Sequence, residues 1–151
     1  EGLGTGDQIR LTTSVEYTRP VGDSTWSTRL IWGRNHDTAT QRNLNSYLVE
    51  SVVPVGAKNF VTGRAELVDK DELFAAQPTI EAALDATAGS TFRIGSYTVG
   101  YTRDFALWEA LETGIGFNVS TYSLPSAIKP YYGDHPVGGS VFLRVRLKGN
   151  K

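Results

Sequence analysis

Gln8-Ile9-Arg10-Leu11-Thr12-Thr13-Ser14-Val15-Glu16-Tyr17-Thr18 alternates strictly between two kinds of side chain. One set is Ile9, Leu11, Thr13, Val15 and Tyr17. The other is Gln8, Arg10, Thr12, Ser14, Glu16 and Thr18. A period of two is that of an extended strand, whose successive side chains leave on opposite faces.

The same reading extends along the chain. Near Thr25–Gly33, Trp26, Thr28, Leu30 and Trp32 oppose Thr25, Ser27, Arg29 and Ile31. Near Leu44–Val53, Tyr47, Val49, Ser51 and Val53 oppose a set that is itself partly apolar: Leu44, Ser46, Leu48, Glu50 and Val52. Further strands are predicted over Asn59–Val68, Phe92–Thr102, Leu111–Tyr122 and Gly139–Leu147. In the last, Val141, Leu143, Val145 and Leu147 stand against Phe142, Arg144 and Arg146. The fold class expected is therefore all-β, an antiparallel up-and-down transmembrane β-barrel with about seven or eight strands in this chain, or a segment of a larger barrel. Residues 1–151 read as a single domain.

Length separates this from an ordinary soluble sheet. Globular strands run to about five or six residues, whereas a tilted membrane-crossing strand needs about 9–11. The alternating segments here reach roughly ten. The connections alternate too. Short ones are expected near Arg19–Asp23, Pro54–Lys58 and Arg103–Leu107, and long ones over Arg34–Asn43, Asp69–Thr91 and Ser123–Gly138. Outer-membrane barrels pair short periplasmic turns with long outer loops. Tyr17, Trp26, Tyr101 and Trp108 then fall beside short turns, and Trp32 and Tyr47 near a long one, the placement of two aromatic girdles. The Ala-rich stretch Thr79–Thr87 allows a helical turn or two, and Pro125, Pro130 and Pro136 predict a stiff, non-helical last loop.

The polar faces carry Arg10, Glu16, Arg29, Glu50, Arg64, Glu66, Glu112, Arg144 and Arg146. In a membrane barrel these charges line the lumen. The arginines either set an anion preference or pair with the glutamates and close the passage, and the near balance of charge favours pairing. A soluble lipocalin-like barrel would instead wet this face and hold a small apolar ligand on the other.

With the C-terminus placed on the periplasmic side, seven strands put Gln8 on the outer side, an odd count for a single-chain bacterial barrel. Strands preceding this segment, or several copies sharing one barrel, would each restore closure. Unpaired first and last strands invite pairing between copies, so a homo-oligomer is an expectation. No basic-then-apolar leader opens the chain, which reads as mature or as a fragment.

Several segments in order carry a resemblance: Asp7-Gln8 through Arg19-Pro20, Trp32-Gly33-Arg34, Leu44-Asn45-Ser46-Tyr47-Leu48-Val49-Glu50-Ser51, Gly100-Tyr101-Thr102-Arg103-Asp104, and Tyr132-Gly133-Asp134-His135-Pro136-Val137 with Ser140-Val141-Phe142-Leu143-Arg144-Val145-Arg146. Together they resemble the C-terminal part of an uncharacterised family of bacterial outer-membrane β-barrel proteins. The resemblance implies further strands upstream, a location in the bacterial outer membrane, and outer-membrane lipid and the barrel-assembly machinery as partners. It implies no activity. The last strand is similar to the signal such machinery reads, although Lys148-Gly149-Asn150-Lys151 follows where an aromatic end is usual.

The remaining chemistry is thin. Cysteine is absent, which excludes disulfides and thiolate sites. His36 and His135 are isolated, no metal-ligand spacing exists, and no cofactor is expected. Asp69, Lys70, Asp71 and Glu72 form a charge run of the kind usually found on solvated loops, with weak cation or lipopolysaccharide bridging as the alternative. Gly114-Ile115-Gly116 lies in a strand and so lacks the setting of a phosphate loop; its small residues give room to inward-facing neighbours. Glu66 and Glu112 read as ion-pair partners rather than an acid–base pair, and no nucleophile–base set appears, so an enzyme is not expected. A net charge of −1 with scattered basic residues gives no field for nucleic acid.

Overall fold

The computed structural model describes residues 7–71, 73, 79–80, 82–84, 91–108 and 111–147, with only the backbone of 107 and 108. Seven strands form one sheet in sequence order. They are β1 (Gln8–Val21), β2 (Ser24–Asp37), β3 (Asn43–Pro54), β4 (Asn59–Lys70), β5 (Phe92–Trp108), β6 (Leu111–Ser123) and β7 (Val137–Leu147). Every neighbouring pair is antiparallel. All seven predicted strands are present, each longer than its alternation suggested. The segments 34–37 and 103–107, expected in connections, belong to β2 and β5. The reason is pairing: β6 begins at Leu111, and its partner must extend to Trp108 to satisfy the ladder.

The connections are correspondingly shorter. Gly22 and Asp23 alone join β1 to β2, and Gly22 takes φ +59°, the positive value that a two-residue hairpin turn demands. Residues 38–42 join β2 to β3, which makes this connection a tight one rather than a long loop. Residues 71–91 and 124–136 remain long. The Ala-rich stretch does turn helical, at residues 79, 80 and 82–84. The last connection contains a four-residue helix, Lys129–Tyr132, against the non-helical expectation. Pro130 lies in its first turn, where the backbone N–H it lacks has no helical partner anyway.

The sheet is open: β1 and β7 each have one neighbour, and these seven strands alone do not close the expected barrel. In an antiparallel meander the odd-numbered strands share a direction, so both edges, β1 and β7, run the same way. All fourteen residues of β1 are exposed.

The two faces are unequal in curvature. On the polar face, side chains two and three strands apart meet: Arg144 and Arg146 of β7 reach Asp104 of β5, and the Arg144 guanidinium lies 5.8 Å from the Phe60 ring centroid of β4. On the apolar face, the ring contacts and hydrogen bonds between described residues join adjacent strands. Side chains converge on the concave side of a curled sheet, so the sheet curls toward its polar face.

The most deeply buried apolar cluster lies at one end of the sheet. Ile128, fully buried, packs with Leu84 and Phe92, and Ile80, Ile94, Leu124 and Ala127 surround them. Two connections far apart in sequence thereby meet over the first residues of β5, on the face that carries the charges.

Candidate functional site: a charged concave face behind an exposed apolar one

The register assembles the charges into rows. Glu16 pairs with Arg29, Arg29 with Glu50, and Glu50 with Arg64, an alternating ladder across β1 to β4. Arg29 Nη2 lies 3.0 Å from Glu16 Oε2, and Arg64 lies 3.5 Å from Glu50 and 2.9 Å from Glu66. The row continues through Thr98 and Ser120, whose hydroxyls are 2.7 Å apart. A second group holds Arg146, 3.3 Å from Glu112 and 3.4 Å from Asp104, and Arg144, paired with Asp104. Arg10 bonds Gln8 Oε1 at 3.0 Å.

All nine charged residues singled out from the sequence thus lie on one face, the concave one. Asp104 is the member that sequence reasoning placed in a turn. Its presence was signalled by the continuing alternation Thr98, Gly100, Thr102, Asp104 and by the length of β6. With Asp104 included, this set holds five arginines and five carboxylates. Exposed pairs of this kind contribute about 0–1 kcal/mol each; their larger effect is to place carboxylates beside most of these arginines.

Glycines make these contacts sterically feasible. Gly114 stands between Asp104 and Arg144 in the register, and a methyl group there would come 2.5 Å from Asp104 Oδ1. Gly116 stands between Thr102 and Phe142, and a methyl group there would meet the Phe142 ring at 2.5 Å. Each absent side chain is replaced by one from the next strand, which lets partners two strands apart touch.

The opposite face is apolar and outward. Leu11 is 54% exposed, Val99 64% and Leu143 66%. Val15, Leu30, Val49, Ala65 and Tyr97 form one continuous row across it. Several of its polar groups bond one another: Trp26 Nε1 donates to Ser51 Oγ at 2.9 Å, Thr28 Oγ1 lies 2.9 Å from the same hydroxyl, and Tyr101 donates to Asn59 Oδ1 at 2.6 Å. Toward the short turns sit Tyr17 and Trp26, edge to face at 5.8 Å, and Tyr101 with Phe117 at 5.9 Å. Trp32 and Tyr47 pair near the other end. Trp108 ends β5 beside Leu111, its side chain lying outside the described residues.

Charge flanks the middle of this belt on β5. On β5, Arg93 and Arg103 share the apolar face with Gly95, Tyr97, Val99 and Tyr101 between them. Ten residues at about 3.3 Å each separate these arginines by roughly 33 Å along the strand. Arg93 is held by Asp69 through two bonds of 2.8 and 3.1 Å, and Asp69 also accepts from Asn45 N at 3.0 Å. Part of the predicted charge run is therefore structural; Glu72 lies outside the described residues. His36 Nδ1 lies 2.9 Å from Asn43 Oδ1, and His135 is exposed in the last connection. Among the described residues no group of three or more potential metal ligands occurs, and no helix is long and apolar enough to cross a membrane.

No family model, curated protein or solved structure matches the chain. Function must be read from the two faces themselves.

Proposed function

We propose that this chain forms part of the wall of an outer-membrane β-barrel of structural or porin-like pore type, without enzymatic activity, its apolar face toward lipid and its charged face toward the lumen. One observation carries the reading: a sheet curled toward its charges leaves a continuous apolar belt exposed on its convex side, bounded at both ends by aromatic and charged residues. Strands in such barrels tilt by about 35–45°, so roughly 33 Å of strand rises about 25 Å, the height of the apolar band of these barrels. A soluble monomer rarely leaves so large an apolar surface in water. A lipocalin-like ligand cavity would need the apolar face on the concave side. The paired arginines favour a lumen closed by ion pairs over an anion-selective one. The long connections that pack over Phe92 and Ile94 would narrow its outer mouth.

A second reading, a self-assembling barrel whose copies complete one another's sheets, is favoured by the two open edges. Copies inserted in the same orientation would bring β7 of one against β1 of the next in parallel, because both edges run one way.

Solubilisation tests the first reading. The chain is expected to fold only with detergent or lipid and to resist protease there. A protein that stays folded and monodisperse in buffer alone overturns it. Mass measurement of the folded particle in detergent separates single copies from rings.

A further inference from the structure

Three strands repeat one order of residues near the ends of the apolar face. On that face Tyr17 is followed by Arg19 in β1, Trp32 by Arg34 in β2, and Tyr101 by Arg103 in β5. Arg19 and Arg103 lie toward the short turns, and Arg34 lies at the opposite margin. All three are exposed. Among the described residues none has a carboxylate within ion-pair distance, and Arg34 donates through Nε to the neutral Asn43 Oδ1 at 3.0 Å. The concave face differs: Arg10, bonded to Gln8 Oε1, is the exception there, and Arg29, Arg64, Arg144 and Arg146 each have a carboxylate. At the margin, Arg93 is the arginine that does, through Asp69.

A guanidinium costs least where an anion meets it, and at these three positions the described residues supply none. The apolar stem lies along the belt while the head extends past it. The planar fork matches two oxygens of a phosphate, which a carboxamide cannot replace and an ammonium matches only as a point charge. The aromatic ring two residues inward belongs at the boundary between acyl chains and headgroups. On β2, eight residues separate Trp26, which pairs with Arg19, from Arg34. That is about 26 Å of strand, which rises about 20 Å at the tilt given above, and the two arginine side chains extend this toward the band's height of about 25 Å.

We propose that Arg19, Arg34 and Arg103 bind the phosphate groups of lipid headgroups, Arg34 in one leaflet and Arg19 and Arg103 in the other, and so fix the height of the sheet in the bilayer. The proposal rests on the membrane reading above.

The test uses the full chain in vesicles of phosphatidylglycerol and of digalactosyldiacylglycerol with matched acyl chains, the second lipid carrying no phosphate. The readout is the urea midpoint of the inserted protein. Wild type should show a higher midpoint in the phosphate lipid. The triple variant R19Q/R34Q/R103Q should lose that difference while still inserting in the galactolipid. The triple lysine variant should keep only part of it. A charge-matched triple on the concave face, R10Q/R29Q/R64Q, should retain it, since its positions do not reach headgroups. Inorganic phosphate added to galactolipid vesicles should leave the wild-type midpoint unchanged; if it reproduces the difference, the arginines hold a free anion and the headgroup proposal fails. Equal wild-type midpoints in the two lipids, or an undiminished difference in the glutamine triple, overturns the proposal and leaves the membrane reading standing. Failure of wild type to enter either vesicle overturns both.

Discussion

Asp104 of β5 and Arg144 of β7 form an ion pair across β6, over the bare backbone of Gly114. Two strands that share no ladder are thereby tied on the concave side. The contact exists only because the intervening position has no side chain.

Gly114→Ala is therefore expected to destabilise the fold by about 1–3 kcal/mol, the usual cost of overpacking. The new methyl group would displace the Asp104 carboxylate from Arg144. In an Asp104→Ala background the same change should cost clearly less, because the crowding partner is gone. A double-mutant cycle on urea unfolding measures this coupling, and additive costs would show that Gly114 is not there to make room for Asp104.

Leu30, Val49 and Val119 are all exposed on the convex face. An arginine at an exposed site of a protein in water usually changes stability by less than about 0.5 kcal/mol. At the middle of a lipid-facing belt it costs about 2–4 kcal/mol. Each of the three substitutions should fall in the second range for unfolding from detergent or lipid. Arginine at Thr98 or Ser120, on the concave face, should stay well below it. Equal tolerance on both faces would reverse the assignment of lipid and lumen.

Asp37 lies beyond the margin of the belt and organises the tight connection after β2. Its Oδ1 accepts from Thr40 N at 3.0 Å and Ala39 N at 2.8 Å. These backbone donors, Thr40 first, hold its carboxyl below the ordinary 3.8. A folded value below the unfolded one means the stabilisation is complete above the unfolded value and disappears as pH falls through the folded value. Amide exchange at Ala39 and Thr40 should accelerate, relative to neighbouring amides, as the solution is acidified through that range. Asp37→Asn should remove the pH dependence. An exchange profile indifferent to acid in the wild type would count against the role.

Gly22 sits alone with Asp23 between two fourteen-residue strands. Its φ of +59° is one that a β-branched residue adopts at a cost of about 1–2 kcal/mol. Gly22→Val should lower stability by that amount and slow formation of the β1–β2 hairpin, whereas Gly22→Asn should cost less because asparagine tolerates this region. Equal unfolding midpoints for the two variants would argue against a conformational cause.

The strands are legible in the residues because alternation sustained over ten or more positions matches the two-residue repeat of a strand and no helical repeat. A mixed face does not spoil this. Leu44, Leu48 and Val52 put apolar side chains on both sides of β3, and Leu48 pairs with Ile31 as an apolar patch within the concave face. Strand ends are less legible. Arg103-Asp104 has the composition of a turn, yet the ladder with β6 overrides that local preference, and Asp104 escapes recognition as a result. The Ile128, Leu84 and Phe92 cluster is out of reach for a different reason. It depends on contact between two connections whose mutual position follows from the sheet's curvature, and no local pattern encodes that.

Two edges that run the same way have a consequence for how this architecture can change by descent. Duplicating or deleting a hairpin alters the strand number by two and preserves odd parity, so after such events the two edges of the sheet would still run the same way. Only the gain or loss of a lone strand would let this sheet meet itself in the antiparallel sense.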